Sequence, residues 1–135
     1  MSERPHVLLV DDDPWIGALV VRALQRDGYD VTCATDGIEG LASLSKTPLP
    51  RLVLLDVMMP LIDGFNVLRQ LRQREETRTL PVLIMSTKSR KDDVVRAIAD
   101  GATDYLVKPF TIAELTTRVQ RLLGAADGTP APEPS

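Results

Sequence analysis

Five short apolar runs alternate with five longer amphipathic segments, and this alternation constrains the fold more than any other feature of the sequence. The runs read as strands: residues 6–10 (HVLLV), 30–34 (DVTCA), 51–55 (RLVLL), 81–85 (PVLIM) and 104–107 (DYLV). Val7 to Val10 and Leu52 to Leu55 are apolar at every position, the pattern of parallel strands covered on both faces. The segments between them supply the cover. In the first, Ile16, Leu19, Val20, Ala23 and Leu24 recur at helical spacing, Asp13 suits the N-cap, Pro14 the first helical position and Gly28 the end. A second helix is predicted over about residues 36–46, with Ile38, Leu41 and Leu44 on one face and Pro48 at the exit. A third follows Asp63 and turns Val67, Leu68 and Leu71 inward, and a fourth carries Val94, Val95 and Ile98 ahead of Gly101. The fifth opens on Thr111-Ile112-Ala113-Glu114, a capping-box spacing, and keeps Ile112, Leu115, Val119 and Leu122 on one stripe. Right-handed crossovers with helices on both faces predict a doubly wound α/β sandwich, for which 2-1-3-4-5 suits five strands.

The 135 residues suit one domain, predicted over residues 1–123. Residues 124–135 are small and proline-rich, with no large apolar side chain, and read as a flexible tail or linker. No room is left within this length for a DNA-binding or catalytic output domain. A content of 44% hydrophobic and 26% charged residues excludes the disordered, collagen-like and disulfide-scaffold classes. With 16 Lys and Arg against 19 Asp and Glu, the charge of -3 argues against direct nucleic acid binding by this chain. Cys33 is the only cysteine, which argues against a disulfide framework and Cys-ligated zinc and favours a reducing cytoplasm. No signal-like start is visible and no run approaches the roughly 18 apolar residues of a membrane span.

In open α/β sheets ligands bind beyond the carboxyl ends of the strands. There the chain places Asp11-Asp12-Asp13 after the first run, Asp56 after the third, Ser86-Thr87 after the fourth and Lys108 after the fifth. The order 2-1-3-4-5 makes the first and third strands neighbours, gathering Asp11, Asp12 and Asp56 in one crevice. Crowded carboxylates must protonate, pair with a cation or bind a metal. An oxygen-only ligand set points to Mg²⁺, which is commonly completed by a phosphate. Lys108 and the Ser86 hydroxyl would then meet phosphoryl oxygens, leaving Asp56 as the attacking carboxylate. Taken singly, each residue has a plainer explanation: Asp13 as a helix cap, Lys108 as a solvated charge, Ser86 as a turn hydroxyl. Their placement on one rim favours the joint reading.

The chain resembles the receiver domain of two-component response regulators, in the single-domain form used in chemotaxis. The matching motifs are Leu8-Leu9-Val10-Asp11-Asp12-Asp13, Leu54-Leu55-Asp56-Val57-Met58-Met59-Pro60 with Asp63-Gly64, Pro81-Val82-Leu83-Ile84-Met85-Ser86, Gly101-Ala102 and Tyr105-Leu106-Val107-Lys108-Pro109-Phe110. They follow in family order and cover residues 6 to about 123. The resemblance implies a flavodoxin-like (βα)5 fold, so the strand order rests partly on it. It implies that Asp56 takes a phosphoryl group from a phosphohistidine of a sensor histidine kinase or histidine phosphotransfer protein. Asp12, Asp56 and the Met58 carbonyl would ligate Mg²⁺, Asp11 would act through a water, and Ser86 and Lys108 would contact the phosphoryl oxygens. The Lys108-Pro109 bond is expected to be cis. Ser86 and Tyr105 would be the switch pair, Tyr105 moving inward from an exposed orientation. The face of the fourth helix, fifth strand and fifth helix would then change for a downstream protein effector, or for a homodimer.

Thr87 stands where the family often has Ala or Gly, adding a second hydroxyl beside the switch. Met58 and Lys88 occupy positions that the family varies to tune acyl-phosphate lifetime. Trp15 reads as a packing residue or as a cover over the metal site. On this reading the protein is a signalling switch rather than an enzyme acting on external substrates. The alternatives are a Mg²⁺-dependent phosphohydrolase with Asp11 as nucleophile and Asp13 as acid/base, and a receiver-like scaffold without phosphorylation. A flavodoxin-like nucleotide carrier lacks the Gly/Ser/Thr phosphate cradle after the first strand.

Overall fold

The computed structural model describes residues 4–46 and 48–126. Strands β1 (His6–Val10), β2 (Asp30–Ala34), β3 (Leu52–Asp56), β4 (Val82–Ser86) and β5 (Asp104–Val107) alternate with helices α1 (Pro14–Arg26), α2 (Gly37–Ser43), α3 (Gly64–Gln73), α4 (Lys91–Ala99) and α5 (Ile112–Ala126). All neighbouring strands pair in parallel. The sheet runs β2-β1-β3-β4-β5, so the expected flavodoxin-like order is the one found.

Apolar residues on both faces of each central strand create two cores. Leu8, Val10, Val53, Leu55, Val82 and Ile84 face α2, α3 and α4, which contribute Leu41, Phe65, Val67, Leu68, Leu71 and Ala97. Val7, Leu9, Leu52, Leu54, Leu83 and Met85 face α1 and α5, which contribute Val20, Leu24, Leu115 and Val119. Each fully buried Leu or Val contributes roughly 1.5–3 kcal/mol relative to exposure. Helix ends follow the sequence signals. Asp13 caps α1 by accepting from the amides of Trp15 and Ile16, Asp36 caps α2, Asp63 caps α3, and Thr111 accepts from the Glu114 amide at the start of α5. Gly28 follows α1 with a φ of 95°.

Four expectations need correction. β3 and β4 begin and end one residue later than the apolar runs, so Asp56 and Ser86 close their strands instead of following them. The ladder explains this, because Asp56 stands opposite Met85 and Ser86 opposite Val107. α2 is seven residues long, shorter than its apolar spacing suggested. Leu19, Ile38, Val95 and Ile98 are exposed, because each helix needs only a narrow stripe against the sheet and other residues fill it. α5 continues to Ala126, past the expected boundary at 123, and residues 127–135 of the expected tail lie outside the described residues. Among the described residues no helix is long and apolar enough to cross a membrane.

Candidate functional site: an acidic crevice at the strand ends

Asp11 follows β1 directly, its amide bonded to the Ala34 carbonyl at the end of β2. One of its oxygens accepts from the Asp13 amide at 2.9 Å, the other from Lys108 Nζ at 2.8 Å. Asp56 ends β3, the neighbouring strand, and is only 5% exposed. Its Oδ1 accepts from the Met58 amide at 3.4 Å and lies 3.7 Å from Lys108 Nζ. Asp12 stands exposed at the rim, and one carboxylate oxygen from each of Asp11, Asp12 and Asp56 lies within 4.8 Å of the others.

Electrostatics follow from this crowding. Burial pushes the Asp56 carboxyl up to about 6; Lys108 pulls it down, Asp11 and Asp12 push it up, and the Met58 amide helps pull it down. Removing a carboxylate from water disfavours its charged form, and a single, largely buried ammonium shared with Asp11 does not offset that. Three hard oxygen donors beside one another, without a nitrogen or sulfur ligand in the cluster, are the donor set of Mg²⁺. Asp11 already has both oxygens engaged, which suits contact through a water better than direct ligation.

Opposite the carboxylates, Ser86 is fully buried, and its Oγ accepts from the Lys88 amide at 3.0 Å. The Lys108 amide donates to the Ser86 carbonyl at 2.7 Å, and the Lys108–Pro109 peptide bond is cis. The hydrogen bond holds the root of the Lys108 side chain against the end of β4. Thr87 is exposed and its hydroxyl donates to Met58 Sδ at 3.7 Å.

Tyr105 departs from expectation. Its ring is 7% exposed and packs into the core on the α4 side, where its hydroxyl donates to the Lys88 carbonyl at 2.7 Å. Burial, its largest influence, pushes the phenol upward, while a hydrogen bond with Ser86 works the other way. The loop after β4 offers the hydroxyl this acceptor and so holds the ring inward. Trp15 does not pack into the core, since it is 85% exposed.

Residues 7–120 match the response regulator receiver domain family. The chain belongs to that family. The receiver is 43% identical over 126 residues to the DNA-binding dual master transcriptional regulator RpaA of Synechocystis, covering 93% of this chain and 52% of the relative. It thus spans about half the length of the curated relatives it matches. Among solved structures, chemotaxis protein CheY4 of Vibrio cholerae superposes with a TM-score of 0.83 at 34% identity, over 89% of this chain and 99% of that one. The receiver domain of sensor histidine kinase PA1611 from Pseudomonas aeruginosa, solved with a magnesium ion in its active site cleft, gives 0.82 at 31% identity, over 90% and 99%.

Two features of this receiver site escaped the sequence. Gly64, the first residue of α3, lies so close to β3 that a Cβ there would collide with the Asp56 carbonyl oxygen, and its amide bonds the Val57 carbonyl. Motif spacing marked Gly64 but not its reason. Arg118 of α5 reaches Asp104 at 2.8 Å and the Tyr105 carbonyl at 3.2 Å, tying α5 to β5. No local pattern announces a contact between residues so placed.

Proposed function

We propose that this receiver is a phosphorylation switch in which Asp56 accepts a phosphoryl group from a phosphohistidine of a sensor histidine kinase or histidine phosphotransfer protein. The observation that carries this reading is the position of Asp56: a nearly buried carboxylate at a strand end, beside one shared ammonium and two further carboxylates. An Asp56 oxygen attacks phosphorus, the P–N bond breaks, and the imidazole nitrogen keeps the electron pair. Asp56 reacts as the anion, which its carboxyl near pH 6 permits at neutral pH. Lys108 exchanges part of its contact with Asp11 for a phosphoryl oxygen, and Ser86 donates to another. Asp12, Asp56 and the Met58 carbonyl would hold Mg²⁺, with Asp11 reaching it through a water; the ion would supply positive charge against the phosphoryl oxygens. The magnesium in the PA1611 receiver supports the same assignment here.

Ser86, Thr87 and Tyr105 form the switch, since all three meet the loop that joins β4 to α4. The face of α4, β5 and α5 passes the change to a downstream protein effector or to a second copy of the receiver. The reaction is confined to the receiver's own acyl phosphate, so the chain acts as a cytoplasmic signalling switch and not as an enzyme of external turnover. A phosphohydrolase with Asp11 as nucleophile is disfavoured, because both Asp11 oxygens are occupied. Incubation with acetyl phosphate and Mg²⁺, followed by intact mass spectrometry, tests the proposal. One phosphoryl adduct on the wild type and none on Asp56→Asn is the expected result; no wild-type adduct, or equal adducts, would overturn it.

A further inference from the structure

Met58 combines two properties that the phosphoryl reaction does not use. Its side chain is 58% exposed at the mouth of the crevice, and its sulfur accepts a hydrogen bond from Thr87 across the gap between the loops after β3 and β4. The other described methionines differ: Met85 is fully buried in the sheet, and Met59 packs against the core. A thioether is a weak acceptor, so the present bond joins the loops loosely.

We propose that Met58 is a redox modification site through which peroxide oxidants restrain the switch loop. The sulfur lone pair attacks one oxygen of hydrogen peroxide, an S–O bond forms, and the O–O bond breaks. Sulfur is oxidised by two electrons, and the second peroxide oxygen leaves as water, carrying the proton lost from the first. The product is a sulfoxide whose oxygen is a strong acceptor, so the bond from Thr87 strengthens. That bond holds the loop carrying Ser86, Thr87 and Lys88 against the loop carrying Met58. The partial negative charge on the sulfoxide oxygen also faces any dianionic phosphodonor approaching Asp56. Both effects slow phosphorylation, by about three- to tenfold if they amount to one ordinary hydrogen bond. The sulfoxide is reducible by methionine sulfoxide reductases, so the restraint is reversible.

The effect on rate rests on the proposed phosphorylation of Asp56, whereas the site of oxidation and the contact with Thr87 do not. The test uses the full chain carrying Cys33→Ser, because Cys33 is an exposed free thiol and would compete for the oxidant. After limited hydrogen peroxide treatment, peptide mass spectrometry should show Met58 oxidised well ahead of Met59 and Met85. Nuclear magnetic resonance should show the Thr87 signals shifted and its hydroxyl exchange slowed. The acetyl phosphate rate should fall three- to tenfold and recover after reductase treatment, while treated and untreated Met58→Leu should not differ. Oxidation elsewhere first, unmoved Thr87 signals, or an unchanged rate in oxidised protein would each overturn the proposal. If untreated protein takes up no phosphoryl group, the phosphorylation reading fails, and the mapping and Thr87 signals still decide the oxidation site.

Discussion

Lys108 Nζ sits 2.8 Å from Asp11 Oδ2 and 3.7 Å from Asp56 Oδ1, so the ammonium of the crevice is held chiefly by Asp11. Asp11 thereby holds the cation beside the Asp56 carboxylate without neutralising that carboxylate fully.

Removing this cation should be costly while no metal is bound. Lys108→Met keeps the stem and leaves three carboxylates together, with the Asp11 side chain out of contact with water. We expect a loss of about 3 kcal/mol at pH 7, the lower end for breaking a buried pair. Added Mg²⁺ should recover more stability in the variant than in the wild type, since it replaces the missing charge. Urea unfolding with and without Mg²⁺ measures both; a deficit of equal size in the two conditions would contradict the shared-cation account.

Asp56 sets a pH dependence whose sign is opposite to that of a salt-bridged carboxylate. Its folded value of about 6 lies above the ordinary 3.8, so the folded state holds a proton that the unfolded chain releases. The resulting stabilisation is fully present below pH 3.8 and is lost as pH rises through about 6. In metal-free protein, wild type should therefore lose stability relative to Asp56→Asn between pH 4 and pH 7. A constant difference across denaturant titrations in this window would sink the expectation. Mg²⁺ binding should weaken below pH 6, as protons compete for the same carboxylate.

Gly64→Ala should damage both fold and site, because the added methyl collides with the Asp56 carbonyl oxygen and the Val57 backbone, neither of which is a flexible side chain. A loss of about 2–3 kcal/mol is expected. Phosphoryl uptake from acetyl phosphate should also slow in the fraction that folds. Normal uptake would mean that the loop after β3 shifts without moving Asp56.

Tyr105→Phe keeps the ring in the core but deletes the bond to the Lys88 carbonyl. About 1 kcal/mol should be lost, concentrated in the loop after β4. Hydrogen exchange should quicken at residues 87–90 and stay unchanged in β1 and β3. Uniform quickening would argue for a general loss of stability instead.

The parallel sheet was legible because continuous apolar runs such as Leu52 to Leu55 admit few placements other than a covered parallel strand, while its order rested partly on the family resemblance. The carboxylate cluster was legible too, since strand order alone makes the ends of β1 and β3 adjacent. What stayed hidden depends on side-chain direction. Val95 and Ile98 share helical spacing with true core residues, yet Ala97 takes the buried position on α4. The inward state of Tyr105 depends on a carbonyl 17 residues away, and the bond between Thr87 and Met58 joins residues 29 apart. Spacing rules reach along one helix or strand and do not extend across loops.

The pair formed by Asp11 and Lys108 joins residues 97 apart, one at the first strand and one at the last. Synthesis therefore adds Asp11, Asp12 and Asp56 before it adds the ammonium that faces them. Until β5 lies beside β4, Asp56 lacks the Lys108 ammonium, and the Lys108 amide lacks the Ser86 carbonyl that anchors it. The charge balance of the crevice is thus completed only by the last of the five strands, and a chain cut before Lys108 would carry the carboxylates without their cation.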